Sequence, residues 1–307
     1  MGKYYFHKHK FDDLVGIFLV KLGLKLKNFL YKTNLDNHFY EKLSDNYRYN
    51  KKIAFNKETI NGLLVESINY KAYESKYCLI QLHGGAYIYG FNDNYRKMAK
   101  RYLKTNKKLK VYSPYYSLAP KHPFPKALNE VAMLYETLLK QFPAKNIILA
   151  GDSAGGGLAL ALGYEIYDRN LPSPKAIITM SAWTDFAAEG KSYETNKYND
   201  IFFGDGKIKL NKSAYSINHS FKHEKISPKY GDYKKLPSLL MFVGGNELIK
   251  SDTLDIGLEH KKANVHVFSK MFHVFPMGFN IMSSSRKAWQ LIEQFINKKL
   301  LQEETNE

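Results

Sequence analysis

Between residues 11 and 30 the apolar side chains fall at Phe11, Leu14, Val15, Phe18, Leu19, Leu22, Leu26, Phe29 and Leu30. Steps of three and four predict an amphipathic helix. Asp12 and Asp13 open it, and Lys25, Lys27 and Lys32 lie toward its end, as a helix dipole favours. Two extended stretches follow, at 53–55 and 59–65, and read as an antiparallel pair at a sheet edge. From residue 77 the pattern changes to apolar runs of strand length, at 77–82, 109–112, 146–150, 176–180, 239–243 and 265–268. Helical patterns separate them, at 94–105, 125–141, 154–168 and 252–262, and a last helix covers 284–301. Strands alternating with helices imply a mostly parallel sheet covered on both faces, here of about eight strands. Residues 184–235 break the alternation: they are rich in Tyr, Asn, Lys and Gly and carry no clear strand. The chain therefore divides into an N-terminal cap helix region (1–45), a core (46–183 and 236–307) and a cap insertion (184–235).

Composition narrows the class. Hydrophobic residues make up 44% of the 307, enough for a large core, so a disordered chain is excluded. The net charge of +17 raises nucleic acid as a partner, but no run of five basic residues and no helix-turn-helix or zinc-finger spacing accompanies it. The charge is read as lysine spread over a soluble surface, with no nucleic acid bound. Cys78 is the single cysteine, so no intramolecular disulfide can form, and its place in a strand predicts a buried, inert thiol. His7 and His9 are read as part of an exposed polar start rather than as metal ligands. The apolar stretch 14–20 follows two aspartates, ends at Lys21 and leads to no small-residue cleavage site, so a cytoplasmic protein is expected.

Three groups of residues carry chemistry. Gly151-Asp152-Ser153-Ala154-Gly155 stands between an apolar strand and an apolar helix. That setting defines a nucleophile elbow, in which a tight turn lifts the serine hydroxyl above the sheet edge and aims a helix N-terminus at it. His83-Gly84-Gly85-Ala86 follows strand 77–82. Its glycines let backbone amides approach a substrate oxygen, so the expected oxyanion donors are Gly84, Gly85 and Ala154, with His83 holding the loop. A serine nucleophile needs a neutral imidazole. His273, in a loop after the last strand, fits the chain order better than His266 inside a strand, His122 in a Pro-rich turn, or His219, His223 and His260 on the surface. The acid belongs between serine and histidine, after a strand. Glu247 occupies that loop, whereas Asp252 reads as the N-cap of the next helix, and Glu247 is favoured of the two.

These residues, with Tyr116-Ser117-Leu118-Ala119-Pro120, His122-Pro123-Phe124-Pro125, Ser181-Ala182-Trp183-Thr184-Asp185 and His273-Val274-Phe275, make residues 77–276 resemble the hormone-sensitive-lipase family of α/β-hydrolases. The resemblance implies an α/β-hydrolase fold with a mainly helical cap, a carboxylesterase tolerant of short acyl chains, and no cofactor. Ala86 stands where the family usually has a third glycine, and Glu247 where it often has aspartate. The expected function is thus a serine carboxylic-ester hydrolase acting on a small ester. The same residues leave open an amide or arylformamide hydrolase, and a ligand-binding module with a dead triad. Oligomeric state, a homodimer included, and a weak contact of the N-terminal helix with a membrane surface also stay open.

Overall fold

The apolar runs form strands β1 (Lys3–His7), β2 (Ile53–Ile60), β3 (Leu63–Tyr70), β4 (Tyr77–Leu82), β5 (Leu109–Pro114), β6 (Ile147–Asp152), β7 (Ala176–Met180), β8 (Ser238–Gly244) and β9 (Ala263–Phe268). The helices are α1 (Phe11–Tyr31), α2 (Asp93–Thr105), α3 (Lys126–Leu138), α4 (Ser153–Asp168), α5 (Ser192–Thr195), α6 (Lys250–Glu259) and α7 (Ser283–Leu301). The computed structural model describes residues 1–31, 47–204, 213–278 and 280–301. Hydrogen bonding orders the strands β1-β9-β8-β7-β6-β4-β5-β3-β2. The β2–β3 and β3–β5 pairs are antiparallel and every other pair is parallel.

No residue of β4, β6 or β7 is exposed, the signature of a parallel sheet covered on both faces. Strand alternation deals their side chains to two cores. Cys78, Ile80, Leu82, Ile147 and Leu149 join Leu128 and Val131 of α3 and Leu158 and Leu162 of α4 on one face. Tyr77, Leu79, Ile148 and Ala150 join Met98 and Tyr102 of α2 and Trp289 and Ile292 of α7 on the other. The chain leaves β4 for β5 on one flank and returns as β6 on the opposite flank. Connections diverge at such a switch point, and a crevice opens beyond the carboxyl ends of the two strands.

Three details differ from the sequence expectation. The edge pair is a hairpin of two eight-residue strands whose turn, Asn61-Gly62, falls inside the stretch expected as its second strand. Both turn residues have positive φ, 50° and 83°, the conformation that an Asn-Gly pair favours between twisted strands. The N-terminal residues are not an exposed polar start. They form β1, parallel to β9, with the His7 Nε2 2.9 Å from His266 Nδ1 and the His7 ring stacked on Phe268. The N-terminal segment thus opens with an edge strand of the central sheet before it reaches α1. Residues 184–235 hold, among those described, only the four-residue α5 and three single 3₁₀ turns, at Ala214–Ser216, Pro228–Tyr230 and Tyr233–Lys235.

α1 is anchored by a buried aspartate. Asp13 accepts hydrogen bonds from the amide and hydroxyl of Ser284, each at 2.8 Å, and from the Lys10 amide at 2.8 Å. Its carboxylate therefore sits at the N-terminus of α7, where the helix dipole stabilises an anion. Gly16 lies against Met282, and Ile17 and Val20 pack on the α2–α7 core. No helix among the described residues is long and apolar enough to cross a membrane. Replacing Asp13 by Ala leaves a buried amide and hydroxyl without partners, so a loss of about 1–3 kcal/mol in urea unfolding is expected. Unchanged stability would show that this cap contributes nothing.

Candidate active site

β6 ends at Asp152 and α4 begins at Ser153, whose φ of 52° places a non-glycine residue in the left-handed region. That conformation costs energy and persists only where the surroundings enforce it. The glycines on either side allow the packing that does so. A side chain on Gly155 would run into the carbonyls of Leu82 and His83, and one on Gly151 into the carbonyl of Gly155. The elbow is thus pressed against the end of β4.

The three residues singled out for proton transfer meet above this turn. His273 Nε2 is 2.9 Å from Ser153 Oγ, and its Nδ1 is 3.0 Å from Glu247 Oε2. With the carboxylate ionised, Nδ1–H donates to it and Nε2 is left to accept the serine proton. Glu247 is fully buried. Its other oxygen, Oε1, accepts hydrogen bonds from Ser181 Oγ at 2.6 Å and from the Gly244 amide. The structure places Asp252 elsewhere. It lies in the first turn of α6, not at its N-cap, and its buried Oδ2 accepts the amides of Thr184 and Asp185 at 2.8 and 2.9 Å.

The loop after β4 comes alongside the elbow, but not with all of its amides directed inward. The Gly84 amide donates to Asp152 Oδ1 at 3.2 Å, so it is engaged and does not face a substrate as expected. Gly85 and Ala86 line the cavity, with φ values of 116° and 55°. Among the described residues neither of their amides is bonded to another protein group. His83 does hold the loop: it is buried, its Nδ1 lies 2.7 Å from the Gly84 carbonyl oxygen, and it stacks on Tyr116 at 4.1 Å between centroids. Burial lowers its pKa to about 4, so the ring is neutral near pH 7.

The cavity beside Ser153 and His273 has a volume of about 660 Å³. Trp183, Phe202, Phe203, Ile249, Phe272 and Met277 line it, and Val20 of α1 reaches it from above the core. The Phe203 ring meets the His273 ring edge-on at 4.6 Å. Phe202 and Phe203 belong to the irregular segment 184–235, which is fastened to the loop that carries Glu247. Asp200 accepts the Leu248 amide through one oxygen and the Phe202 and Phe203 amides through the other. Asn196 Nδ2 donates to the carbonyls of Gly245 and Glu247 at 3.0 and 2.8 Å.

Sequence reasoning had given Asp152, Ser181, Asn196 and Asp200 no task of their own. Ser181 had a signal: it stands at the carboxyl end of a strand, where site residues collect in open α/β sheets. It bridges Glu247 and the Val274 amide, 3.0 Å away, and so fixes acid and histidine loops together. Asn196 and Asp200 sit in an irregular segment that offers no period to read.

Asp152 gives a testable pH dependence. Burial pushes its carboxyl up to about 7, against the favourable effects of His273, the Gly84 amide and the Tyr95 hydroxyl. A raised carboxyl pKa means that the folded state prefers the proton. The stability from this preference is complete below the unfolded value of about 3.9 and is lost as pH rises through the folded value. Asp152→Asn removes the titration. The melting temperature of the variant relative to wild type should therefore rise between about pH 4 and pH 8; a difference independent of pH would refute the burial argument.

The chain compares closely with known proteins over the part that builds this site. The α/β hydrolase fold family matches residues 79–277. An acetyl-hydrolase from Streptomyces hygroscopicus is 31% identical over 223 residues, 71% of this chain and 74% of that protein. The crystal structure of a hormone-sensitive lipase from a metagenome library has a TM-score of 0.78 and 25% identity, covering 87% of this chain and 92% of that one. An esterase crystal soaked with p-nitrophenyl butyrate gives a TM-score of 0.77 at 26% identity, covering 91% and 98%. The chain belongs to the α/β-hydrolase family, in its hormone-sensitive-lipase group.

Proposed function

We propose that the protein is a serine carboxylesterase that cleaves small, uncharged esters through an acyl-enzyme. The observation that carries this reading is the continuous path Ser153 Oγ–His273 Nε2/Nδ1–Glu247 Oε2, with both contacts at hydrogen-bond distance. In the reaction, Ser153 Oγ adds to the ester carbonyl carbon as its proton moves to His273 Nε2. Glu247 fixes the tautomer and stabilises the imidazolium. The carbonyl oxygen, now an oxyanion, is met by the amides of Gly85, Ala86 and Ala154, with Ala154 adding the N-terminal end of α4. Ala86 replaces Gly84 in this set, because the Gly84 amide is committed to Asp152. The bond to the leaving alcohol breaks as that alcohol takes the Nε2 proton. Water then attacks the acyl carbon, gives a proton to His273, and the acid departs as Ser153 regains its hydrogen.

The cavity lining bears on the substrate. Among the described residues, the lining side chains apart from Ser153, His273, Asp152 and Tyr95 are apolar or aromatic, and none is a lysine or arginine. A carboxylate or phosphate on the substrate would lose its hydration without gaining a partner. A short, neutral acyl chain fits. An acetyl-hydrolase among the relatives and the butyrate ester soaked into a similar esterase agree with this size.

Three measurements test the reading. Ser153→Ala should fold normally and lose on the order of 10⁶ in kcat on p-nitrophenyl acetate or butyrate, and a fluorophosphonate should label wild type at Ser153 alone. Glu247→Gln should lose on the order of 10⁴ in kcat, whereas Asp252→Asn, whose amide oxygen can still accept the Thr184 and Asp185 amides, should lose less than about tenfold. The reverse ranking would assign the acid to Asp252. Finally, kcat/KM across p-nitrophenyl esters should fall when the acyl chain ends in a carboxylate; equal turnover of charged and neutral acyl groups would contradict the apolar cavity.

A further inference from the structure

α1 is apolar on both sides over its described length. Its inner side is used: Asp13 caps α7, Gly16 meets Met282, and Val20 lines the catalytic cavity. On its outer side Phe11, Val15, Phe18, Leu19 and Leu22 are exposed, Phe18 at 64% and Leu19 at 51%. A surface helix ordinarily turns polar residues outward, and a contiguous exposed apolar patch marks an interaction site. Ile88 and Tyr89, which line the catalytic cavity together with Val20 of α1, are also exposed, at 43% and 71%.

The surroundings of the patch are basic. Lys21 and Lys270 line a cleft beside Leu14 and Ile17. Lys97, Lys100 and Lys104 line a groove with Arg286, and Arg286 is paired at 2.5 Å with Asp12 of α1. An apolar ridge bordered by cations, on a chain of net charge +17, fits one kind of partner. We propose that this face docks on an anionic lipid bilayer. A second copy of the chain is a poorer partner, because like-charged borders would meet and the cavity mouth would be closed. A bilayer attracts the border electrostatically and takes up the ridge. It also holds the apolar esters that the cavity accepts, a consequence that rests on the proposed esterase activity. Docking itself does not need the triad.

The test is sedimentation of the full chain with vesicles of phosphatidylcholine alone and of phosphatidylcholine with phosphatidylglycerol, at low and high salt. Wild type and Ser153→Ala should pellet equally with the anionic vesicles, less at high salt, and not with neutral ones. The equality separates docking from catalysis. Phe18→Glu combined with Leu19→Glu should weaken pelleting by at least about tenfold, with melting temperature and turnover of a water-soluble ester unchanged. Lys97→Gln with Lys100→Gln and Lys104→Gln should weaken it and flatten its salt dependence. Failure of wild type to pellet overturns the proposal. So does a fall in melting temperature for the Phe18/Leu19 variant, which would mean that the chain itself covers the face. A dimer in sedimentation velocity that the same variant dissociates would assign the face to a second copy.

Discussion

The close backbone approach between the carboxyl ends of β4 and β6 is the constraint on which the site depends. It requires Gly155, where a side chain would meet the carbonyls of Leu82 and His83, and Gly151, where one would meet the Gly155 carbonyl in the first turn of α4. It presses the turn at Ser153 into a positive φ and brings Asp152 against the β4 loop, where its carboxylate takes the Gly84 amide. One contact thus sets nucleophile and oxyanion loop relative to each other. The Gly85 and Ala86 amides have no partner among the described residues and belong to residues that line the cavity, as the proposed oxyanion role requires.

A second set of contacts fixes the base. A buried carboxylate such as Glu247 is expensive unless its oxygens are satisfied. His273, Ser181 and the Gly244 amide satisfy them. Ser181 also holds the Val274 amide, so acid, histidine loop and the end of β7 form one unit. The insertion joins that unit through Asn196 and Asp200, and the same segment carries Phe202 and Phe203 into the cavity. The aromatic side of the cavity and the loop that carries Glu247 are therefore coupled, and neither can shift far without the other.

α1 closes on the site from its other side. Its capping contact to α7 holds the helix beside the cavity, and Val20 becomes part of the lining. An apolar helix used on one side only leaves its other side in water, which is costly for an isolated surface and useful for one that meets a lipid phase.

The sequence by itself determined most of the elements and pointed to the candidate reactive groups. Strand and helix periods are local, so β4 to β9, α1 to α4, α6 and α7 fall within a few residues of the expected positions, whereas the short α5 was not expected. The glycine-flanked serine, the loop histidine and the acid loop were legible because each follows the end of an apolar strand, and strand ends are visible in a pattern. The Asn61-Gly62 turn carried a local signal as well, overlooked among apolar neighbours. Tertiary structure decided what no period encodes: whether a polar-looking start pairs as β1 beside β9, and which amide faces the cavity. Gly84 and Gly85 are identical as letters. They differ because the Asp152 carboxylate, 68 residues later in the chain, captures the first and leaves the second. Loop position already favoured Glu247 over Asp252; what only the fold shows is that both carboxylates are buried and differ in which donors surround them. Local order follows from chain geometry, whereas the use of a polar group depends on partners that only folding brings within hydrogen-bond reach.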